Sequence, residues 1–587
     1  MDRTNRNTAL ASALVEELAR SGVRHAAICP GSRSTPVALA LLREPAITAH
    51  TIVDERSAAF FALGAASATR RPVAIACTSG TAAANLHPAV AEAAEADVPL
   101  IVLTSDRPPE LRDVGAGQTI DQVKLFGSAA RWFCEVGTHD ADDAGLLHMR
   151  SVACRAFAVA AGDPRPGPVH LNLSWRDPLG PEPRPGDVTA GSALALEGRG
   201  TEPLTRVERP RPRADGALVD ALAERIAGTE RGLILAGRGT PAESAEPIAA
   251  LAAASGYPVL AEPTSGLRLG AHDRERVVSA YDAIARARPE ELAPELVLRF
   301  GELPTSKALR LWLADLPGAA QVQVDPVGSW KEPTRTAGLV VRADEADLAA
   351  RLAERLPPRA NGWGRRWLDA DRAAAAALSE GIGAERGLSE PAVLRALGDA
   401  LRDGELVYTA SSMPVRDQEA FLPAGPADVT FLANRGANGI DGTVASAAGA
   451  AAATGRPTWL VTGDLALHHD SNGLAALREC EAPVRIVCLN NDGGGIFGLL
   501  PQAAQVTREE FEAIFGTPLG LDLERLAALY DLEYRRIERP EELAALPAAH
   551  VLAEARVERD SAPELRARIF ERARAALAGL GLSVGGP

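Results

Sequence analysis

An aspartate, an asparagine and a run of glycines stand at spacings that suit a divalent cation. The apolar run Thr458 to Thr462 delivers Asp464, through Gly463, at its carboxyl end. A second apolar run, Arg485 to Leu489, delivers Asn491 and then Gly493-Gly494-Gly495. Mg²⁺ asks for near-octahedral oxygen ligands and usually takes one or two carboxylates together with phosphate oxygens and water. Asp464, the side-chain oxygen of Asn491 and the carbonyl of Gly493 supply three ligands, and a diphosphate and a water complete the shell for Mg²⁺ or Mn²⁺. The glycines let backbone approach a diphosphate closely. Ordinary turn residues after strands are the plain alternative for Asp464 and Asn491; their shared strand-end placement favours the cation. Zinc and disulfides fit poorly. The six cysteines (Cys29, Cys77, Cys134, Cys154, Cys480 and Cys488) are scattered, mostly in apolar strands, and form no CxxC pair. His468 and His469 have no partner at ligand spacing and read as a helix start.

The elements that must position these residues are short apolar strands alternating with helices, the pattern of parallel βαβ units. Leu10, Leu14, Val15 and Leu18 share one face of a helix that stops at Gly22. Strand Ala26–Cys29 leads into the loop Pro30-Gly31-Ser32-Arg33-Ser34-Thr35-Pro36. Strand Thr51–Val53, helix Arg56–Thr69, strand Val73–Thr78, the turn Ser79-Gly80-Thr81 and strand Leu100–Thr104 follow. The Pro/Gly/Arg-rich stretch 181–213 reads as a linker. It separates a first region, 1–180, from a second, 214–357, and a polar, Ala-rich connector, 358–390, precedes a third, 391–587. The first and third regions read as copies. Arg71-Pro72 before a strand matches Arg456-Pro457, the Ser79-Gly80-Thr81 turn falls where Gly463-Asp464-Leu465 falls, and Pro99 matches Pro483. The length of 587 residues calls for several domains. A formal net charge of −15 disfavours nucleic acid and requires a local basic cluster for any anionic substrate. No apolar run is long enough to span a bilayer, and no signal-peptide core precedes the first helix, so a cytoplasmic protein is expected.

The Gly463-Asp464 and Asn491 pattern resembles the diphosphate–metal signature of thiamine diphosphate enzymes. Two related regions around a middle one resemble the pyrimidine, central and pyrophosphate domains of that class, so the expected fold is α/β with three doubly wound parallel-sheet domains. Such chemistry needs a carboxylic acid that shares a proton with the aminopyrimidine ring of the cofactor. Glu55, in Asp54-Glu55-Arg56-Ser57-Ala58, stands where strand gives way to helix and fits that role. A first-turn acid serving the helix dipole is its plain alternative. The repeat offset carries Glu55 to or near Ile440, in Asn434-Arg435-Gly436-Ala437-Asn438-Gly439-Ile440. The resemblance makes Ile440 the apolar wedge that bends the cofactor; a core isoleucine is the alternative.

Longer motifs narrow the likeness. Pro30 to Pro36, Thr104-Ser105-Asp106-Arg107-Pro108, Gly117-Gln118-Thr119-Ile120, Asn434 to Gly442 and Asn491 to Leu500 resemble the 2-succinyl-5-enolpyruvyl-6-hydroxy-3-cyclohexene-1-carboxylate (SEPHCHC) synthases of menaquinone biosynthesis. Leu465, where thiamine enzymes usually have Gly, is that subfamily's habit. The resemblance implies decarboxylation of 2-oxoglutarate and 1,4-addition of the succinyl unit to isochorismate, both anionic and suited to bidentate Arg. It implies that Ser32, Arg33, Arg107, Gln118, Lys307, Ser412, Arg416 and Arg435 line the substrate site, with Ile496, Phe497 and Leu500 as its apolar wall. The family's middle-domain Lys is usually followed by Arg, whereas Ala308 follows Lys307 here; Arg299 and Arg310 are the candidates to replace the missing contact. The turn Gly237-Arg238-Gly239 lacks the third glycine of a dinucleotide fingerprint, and no FAD is expected. The cofactor is expected between subunits of a homodimer or homotetramer. Another thiamine diphosphate enzyme, a 2-oxoacid decarboxylase or acetolactate synthase, is the nearest alternative. A non-catalytic protein of the same fold is opposed by Glu55, Asp464 and Asn491 occurring together.

Overall fold

The structure is a computed structural model that describes every residue except Asp163, Pro164, Pro317, Pro358, Arg386, Gly586 and Pro587. The first residue expected for the connector, Pro358, therefore lies outside the described residues. Three six-stranded sheets appear among those described. The first contains β1 (His25–Ile28), β2 (Thr48–Thr51), β3 (Val73–Cys77), β4 (Leu100–Asp106), β5 (Trp132–Gly137) and β6 (Pro168–Ser174). Its order is β2-β1-β3-β4-β6-β5. The second contains β7 (Gly232–Ala236), β8 (Val259–Ala261), β9 (Val277–Val278), β10 (Leu296–Phe300), β11 (Ala320–Val324) and β12 (Ala337–Val341), in the order β12-β11-β10-β7-β8-β9. The third contains β13 (Leu406–Thr409), β14 (Thr430–Leu432), β15 (Thr458–Gly463), β16 (Val484–Asn490), β17 (Glu533–Ile537) and β18 (Val551–Arg556). It runs β14-β13-β15-β16-β18-β17, repeating the first sheet's order strand for strand. The parallel α/β architecture expected from the alternation is present. Its central strands β3, β4 and β6 are buried throughout, as strands of a parallel sheet covered on both faces are.

One expected strand is displaced. Thr51–Val53 was the apolar segment of the edge strand, but β2 ends at Thr51 because it can pair only alongside β1, with Thr48 opposite His25 and Thr51 opposite Ile28. β1 stops before the Pro30-Gly31 loop, so the ladder ends there too. Val53 is left 76 % exposed and Asp54 becomes the N-cap of helix Glu55–Thr69, its carboxylate accepting from Ser57 N–H at 3.1 Å.

The chain divides into two compact units. One comprises Met1–Arg209, Asn434–Thr458 and Ala466–Val484; the other comprises Pro210–Ala433, Trp459–Leu465 and Arg485–Pro587. In the first unit the stretch read as a linker is tied down. Helix Ala193–Glu197 buries Ala195 completely, and the buried Arg150 donates to the carbonyls of Ala195 and Leu196 at 3.0 Å each. In the second unit most of the connector is a helix, Gly362–Ala384, whose Trp363 and Trp367 pack with the C-terminal helix Ala562–Gly579 over β7 and β10.

Helix Glu55–Thr69 crosses helix Thr443–Thr454 within the first unit at near-contact of the backbones. A Cβ at Gly64 would lie 1.9 Å from the Ser446 carbonyl oxygen, and a Cβ at Gly449 would lie 1.9 Å from that of Phe61. Phe61 and Ser446 are 385 positions apart, and so are Gly64 and Gly449. The crossing is thus one contact made twice, as a two-fold relation between duplicated helices demands.

Candidate active site

In the first unit the functional side chains gather at the carboxyl ends of the central strands, where ligands bind in open parallel sheets. Glu55 is half-buried as the first residue of its helix. Its charge adds to burial in pushing the thiols of Cys29 and Cys77 up, which places it over the ends of β1 and β3. Asp54 is held by Asn472 (2.9 Å), and Arg56 donates to the His469 carbonyl (2.7 Å), so both neighbours of Glu55 are fixed while its own carboxylate takes no share in those bonds.

Ser32 and Arg33 follow β1, and Arg107 follows β4. Arg107 donates to the hydroxyl of Ser79, which in turn donates to the Gln118 carbonyl at 3.0 Å; the Gln118 amide returns a bond to the Ser79 carbonyl at 3.1 Å. Arg33 reaches the Trp175 carbonyl at 2.9 Å, and its Nε is buried without a partner. Burial first, and then the charge of Arg107, hold the Arg33 guanidinium below its usual value. Arg107 and Gln118 thus meet around Ser79, with Arg33 near enough to Arg107 to feel its charge and Ser32 exposed in the adjoining loop. Arg435 and Ile440 share a loop pinned by Glu92, whose two oxygens accept from the N–H groups of Gly436 and Ala437 at 2.6 Å each. Ile440 is half-buried.

In the second unit Asp464 is 3 % exposed at the end of β15, with Gly463 before it. Gly493 N–H donates to its Oδ2 at 2.8 Å, yet burial pushes the carboxyl up to about 6. Backbone donors offset that burial only in part, and a cation would complete the compensation. Gly493 has φ +142°, and a Cβ there would lie 2.1 Å from the Gly516 carbonyl oxygen, so only glycine fits. Asn491 donates its amide to Glu390 at 2.9 Å, while its Oδ1 is buried and has no partner. An orphaned buried acceptor and a buried carboxylate are the donor types that a hard cation takes, so the residues present fit Mg²⁺ or Mn²⁺. Among the described residues no group of three or more His, Cys, Asp or Glu gathers as an alternative metal centre. His468 and His469 close the short helix that Asp464 opens; they do not start one. Gly494 bonds to the Gly516 carbonyl at 2.8 Å, and Ile496 and Phe497 lie on the following 3-10 turn with Leu500 just beyond it, all three half-buried.

Lys307 opens helix Lys307–Ala314, preceded by an anchored loop. Thr305 donates its N–H (3.1 Å) and hydroxyl (2.9 Å) to the buried Glu262, and Ser306 bonds to Asp282. Of the two candidates for the missing cation, Arg299 is excluded. It lies inside β10, 1 % exposed, with its Nη1 donating to Glu332 at 2.8 Å and Gln321 at 3.3 Å, so burial in the strand and the ion pair to Glu332 keep it from a substrate. Arg310 stands one turn beyond Lys307 with a buried, unpartnered Nε, and its charge adds to burial in lowering the Arg416 guanidinium. Arg416 donates to the Ser412 carbonyl at 2.5 Å, and Ser412 holds a strained φ of +73° at the start of helix Met413–Phe421. The turn Gly237-Arg238-Gly239 is packed shut: a Cβ at Gly237 would lie 1.6 Å from the Glu302 carbonyl oxygen, and Arg238 pairs with Glu302.

Sequence reasoning missed Ser79, the hub of the first cluster, and Glu390, the partner of Asn491. The repeat alignment set Ser79 opposite Gly463, which was its available signal. Glu390 reads in sequence as an ordinary helix start.

Comparison with known proteins agrees with this geometry. Residues 8–125 match the family model of the thiamine pyrophosphate enzyme N-terminal binding domain, and residues 422–557 match that of the C-terminal binding domain. The chain is 44 % identical over 582 residues to the 2-succinyl-5-enolpyruvyl-6-hydroxy-3-cyclohexene-1-carboxylate synthase of Myxococcus xanthus, covering 98 % of each chain. Identity to the synthase of Geobacillus kaustophilus is 45 % over 524 residues, 89 % of each. With that of Halobacterium salinarum it is 44 % over 556 residues, 93 % of each. A likeness of this extent makes the chain a member of the thiamine diphosphate-dependent SEPHCHC synthase family.

Proposed function

We propose that the chain decarboxylates 2-oxoglutarate and adds the succinyl unit to isochorismate, forming SEPHCHC for menaquinone biosynthesis. Thiamine diphosphate, when bound, supplies the nucleophilic carbon and the electron sink for both steps. Glu55 holds a proton at the aminopyrimidine ring nitrogen. Asp464, Asn491 Oδ1 and the Gly493 carbonyl hold Mg²⁺ or Mn²⁺, and the backbone around Gly463 and Gly494 makes room for the diphosphate. Ile440, Ile496, Phe497 and Leu500 supply apolar walls that exclude water.

The observation that carries the substrate reading is the gathering of like charges: Arg33 beside Arg107 in one unit, and Arg310 beside Arg416 in the other. Burial first, and then a neighbouring guanidinium, lower Arg33 and Arg416, and a planar carboxylate that accepts bidentately from such groups offsets both effects. Arg310 takes the part of the Arg absent at Ala308. Ser32, Gln118, Lys307, Ser412 and Arg435 orient the remaining polar groups of the two substrates.

A homodimer or homotetramer is the proposed assembly, each cofactor taking its acid from one subunit and its metal ligands from another. No helix among the described residues is long and apolar enough to cross a membrane, and a cytoplasmic location is proposed on the same basis as the activity. The test is product analysis with 2-oxoglutarate, with and without isochorismate. SEPHCHC formed only when both are present supports the reading; equal consumption of 2-oxoglutarate without isochorismate, or condensation of pyruvate, makes the chain a different thiamine enzyme.

A further inference from the structure

We infer that Glu390 is a positioning residue for the metal, turning the Asn491 amide so that its oxygen, and not its nitrogen, faces the cation. The inference rests on the metal reading of Asp464, Asn491 and Gly493 given above. An asparagine side chain is nearly symmetric in shape, but only one of its ends can ligate a cation; the other presents two N–H donors. Something must choose the orientation before metal arrives. Glu390 Oε1 accepts from Asn491 Nδ2 at 2.9 Å across 101 residues of sequence. A carboxylate offers acceptors only, so the flipped amide would set oxygen against oxygen. With the nitrogen engaged, Oδ1 is the atom left over, and it is the one buried without a partner.

Glu390 is itself held in place. Its second oxygen contacts Arg566 Nη2. Arg566 is clamped by Asp417, with Nε to Oδ1 at 3.1 Å and Nη2 to Oδ2 at 2.6 Å. Glu390, Arg566 and Asp417 are all buried. Capping does not explain the acid, since the Ser389 hydroxyl already accepts from Ala392 N–H. Removing an outer partner of a metal ligand typically weakens metal binding by about ten- to hundredfold.

The experiment titrates Mn²⁺ into the full chain in the presence of thiamine diphosphate, following free Mn²⁺ by electron paramagnetic resonance. Glu390→Gln is expected to weaken Mn²⁺ binding by about tenfold or more. In an Asn491→Asp background either side-chain oxygen can face the cation, so the same change is expected to cause no further weakening. Glu390→Asp keeps the charge for Arg566 but withdraws it from Asn491 by one methylene. It is expected to behave as Glu390→Gln does and serves if the Gln variant fails to fold. Parent-like Mn²⁺ affinity in the Glu390 variants, or equal weakening in both backgrounds, overturns the positioning role and leaves a stabilising ion pair. Unchanged Mn²⁺ binding in Asp464→Ala and Asn491→Ala would instead remove the metal site itself.

Discussion

The first and third sheets share one strand order but carry opposite chemistry in the turns that follow matching strands, β3 and β15. After β3 the first places Ser79, whose buried hydroxyl is neutral and fully satisfied by Arg107 and Gln118. At the end of β15 the third places Asp464, a buried carboxylate held by backbone donors alone, Gly493 N–H among them. The same topology thus builds a closed hydrogen-bonded hub in one copy and an unsettled charge in the other. A neutral group can be buried on hydrogen bonds alone, whereas a buried charge calls for a counter-charge. Strand order decides where a residue is presented; a single side chain decides whether that place accepts a proton relay, an anion or a cation.

This contrast can be broken at several points. Glu55→Gln should lower turnover by about a thousandfold, the scale of a lost general acid–base group, while calorimetry still records metal-dependent binding of thiamine diphosphate. If turnover survives, the first copy does not carry the acid. The duplicated crossing comes next. Gly64→Ala and Gly449→Ala should each destabilise by about 3 kcal/mol in urea unfolding, since each pushes a methyl into a backbone carbonyl. A large cost at one glycine only would show that the two halves of the crossing are not equivalent. Arg310→Ala should raise the KM for one substrate by about tenfold, as loss of one charge-assisted hydrogen bond implies. Adding Arg in Ala308→Arg to that variant should restore it, and failure to do so would separate this chain from the usual Lys-Arg arrangement.

The smallest effect concerns pH. The folded Asp464 carboxyl sits near 6, above its ordinary value of 3.8. The metal-free fold therefore binds that proton more tightly than the unfolded chain, and this group makes stability fall as pH rises from about 4 to 6, by up to about 1.4 kcal/mol per pH unit. Metal needs the ionised form. The rise in Tm on adding Mg²⁺ should accordingly be full at pH 7.5 and shrink below pH 6; a rise that is unchanged at pH 5 would place the cation elsewhere.

Much of this was legible in the residues. Asp464 and Asn491 stand out because apolar runs of strand length end on them and glycine follows, and Glu55 because an acid closes one element and opens the next. What escaped had physical reasons. Glu390 stands in Ser389-Glu390-Pro391, which any helix start resembles, and its partner Asn491 is met only through folding. β2 slipped from its expected place because register is imposed by β1, not by the apolar pair Ile52-Val53. The segment 181–213 has no apolar period to betray it, yet its backbone carbonyls are claimed by the buried Arg150. Between Arg299 and Arg310 composition offered no choice. Burial decided it, since an arginine inside a strand and paired to Glu332 is out of a substrate's reach.

The glycine crossing also bears on how the gene can be divided. A polypeptide severed between Ala433 and Asn434 would strip Phe60, Phe61 and Gly64 of the helix that shelters them. Neither ancestral half can then be harvested as an autonomous piece. The amino-terminal fragment should collect in inclusion bodies when made by itself and become extractable once the carboxyl-terminal fragment is co-produced.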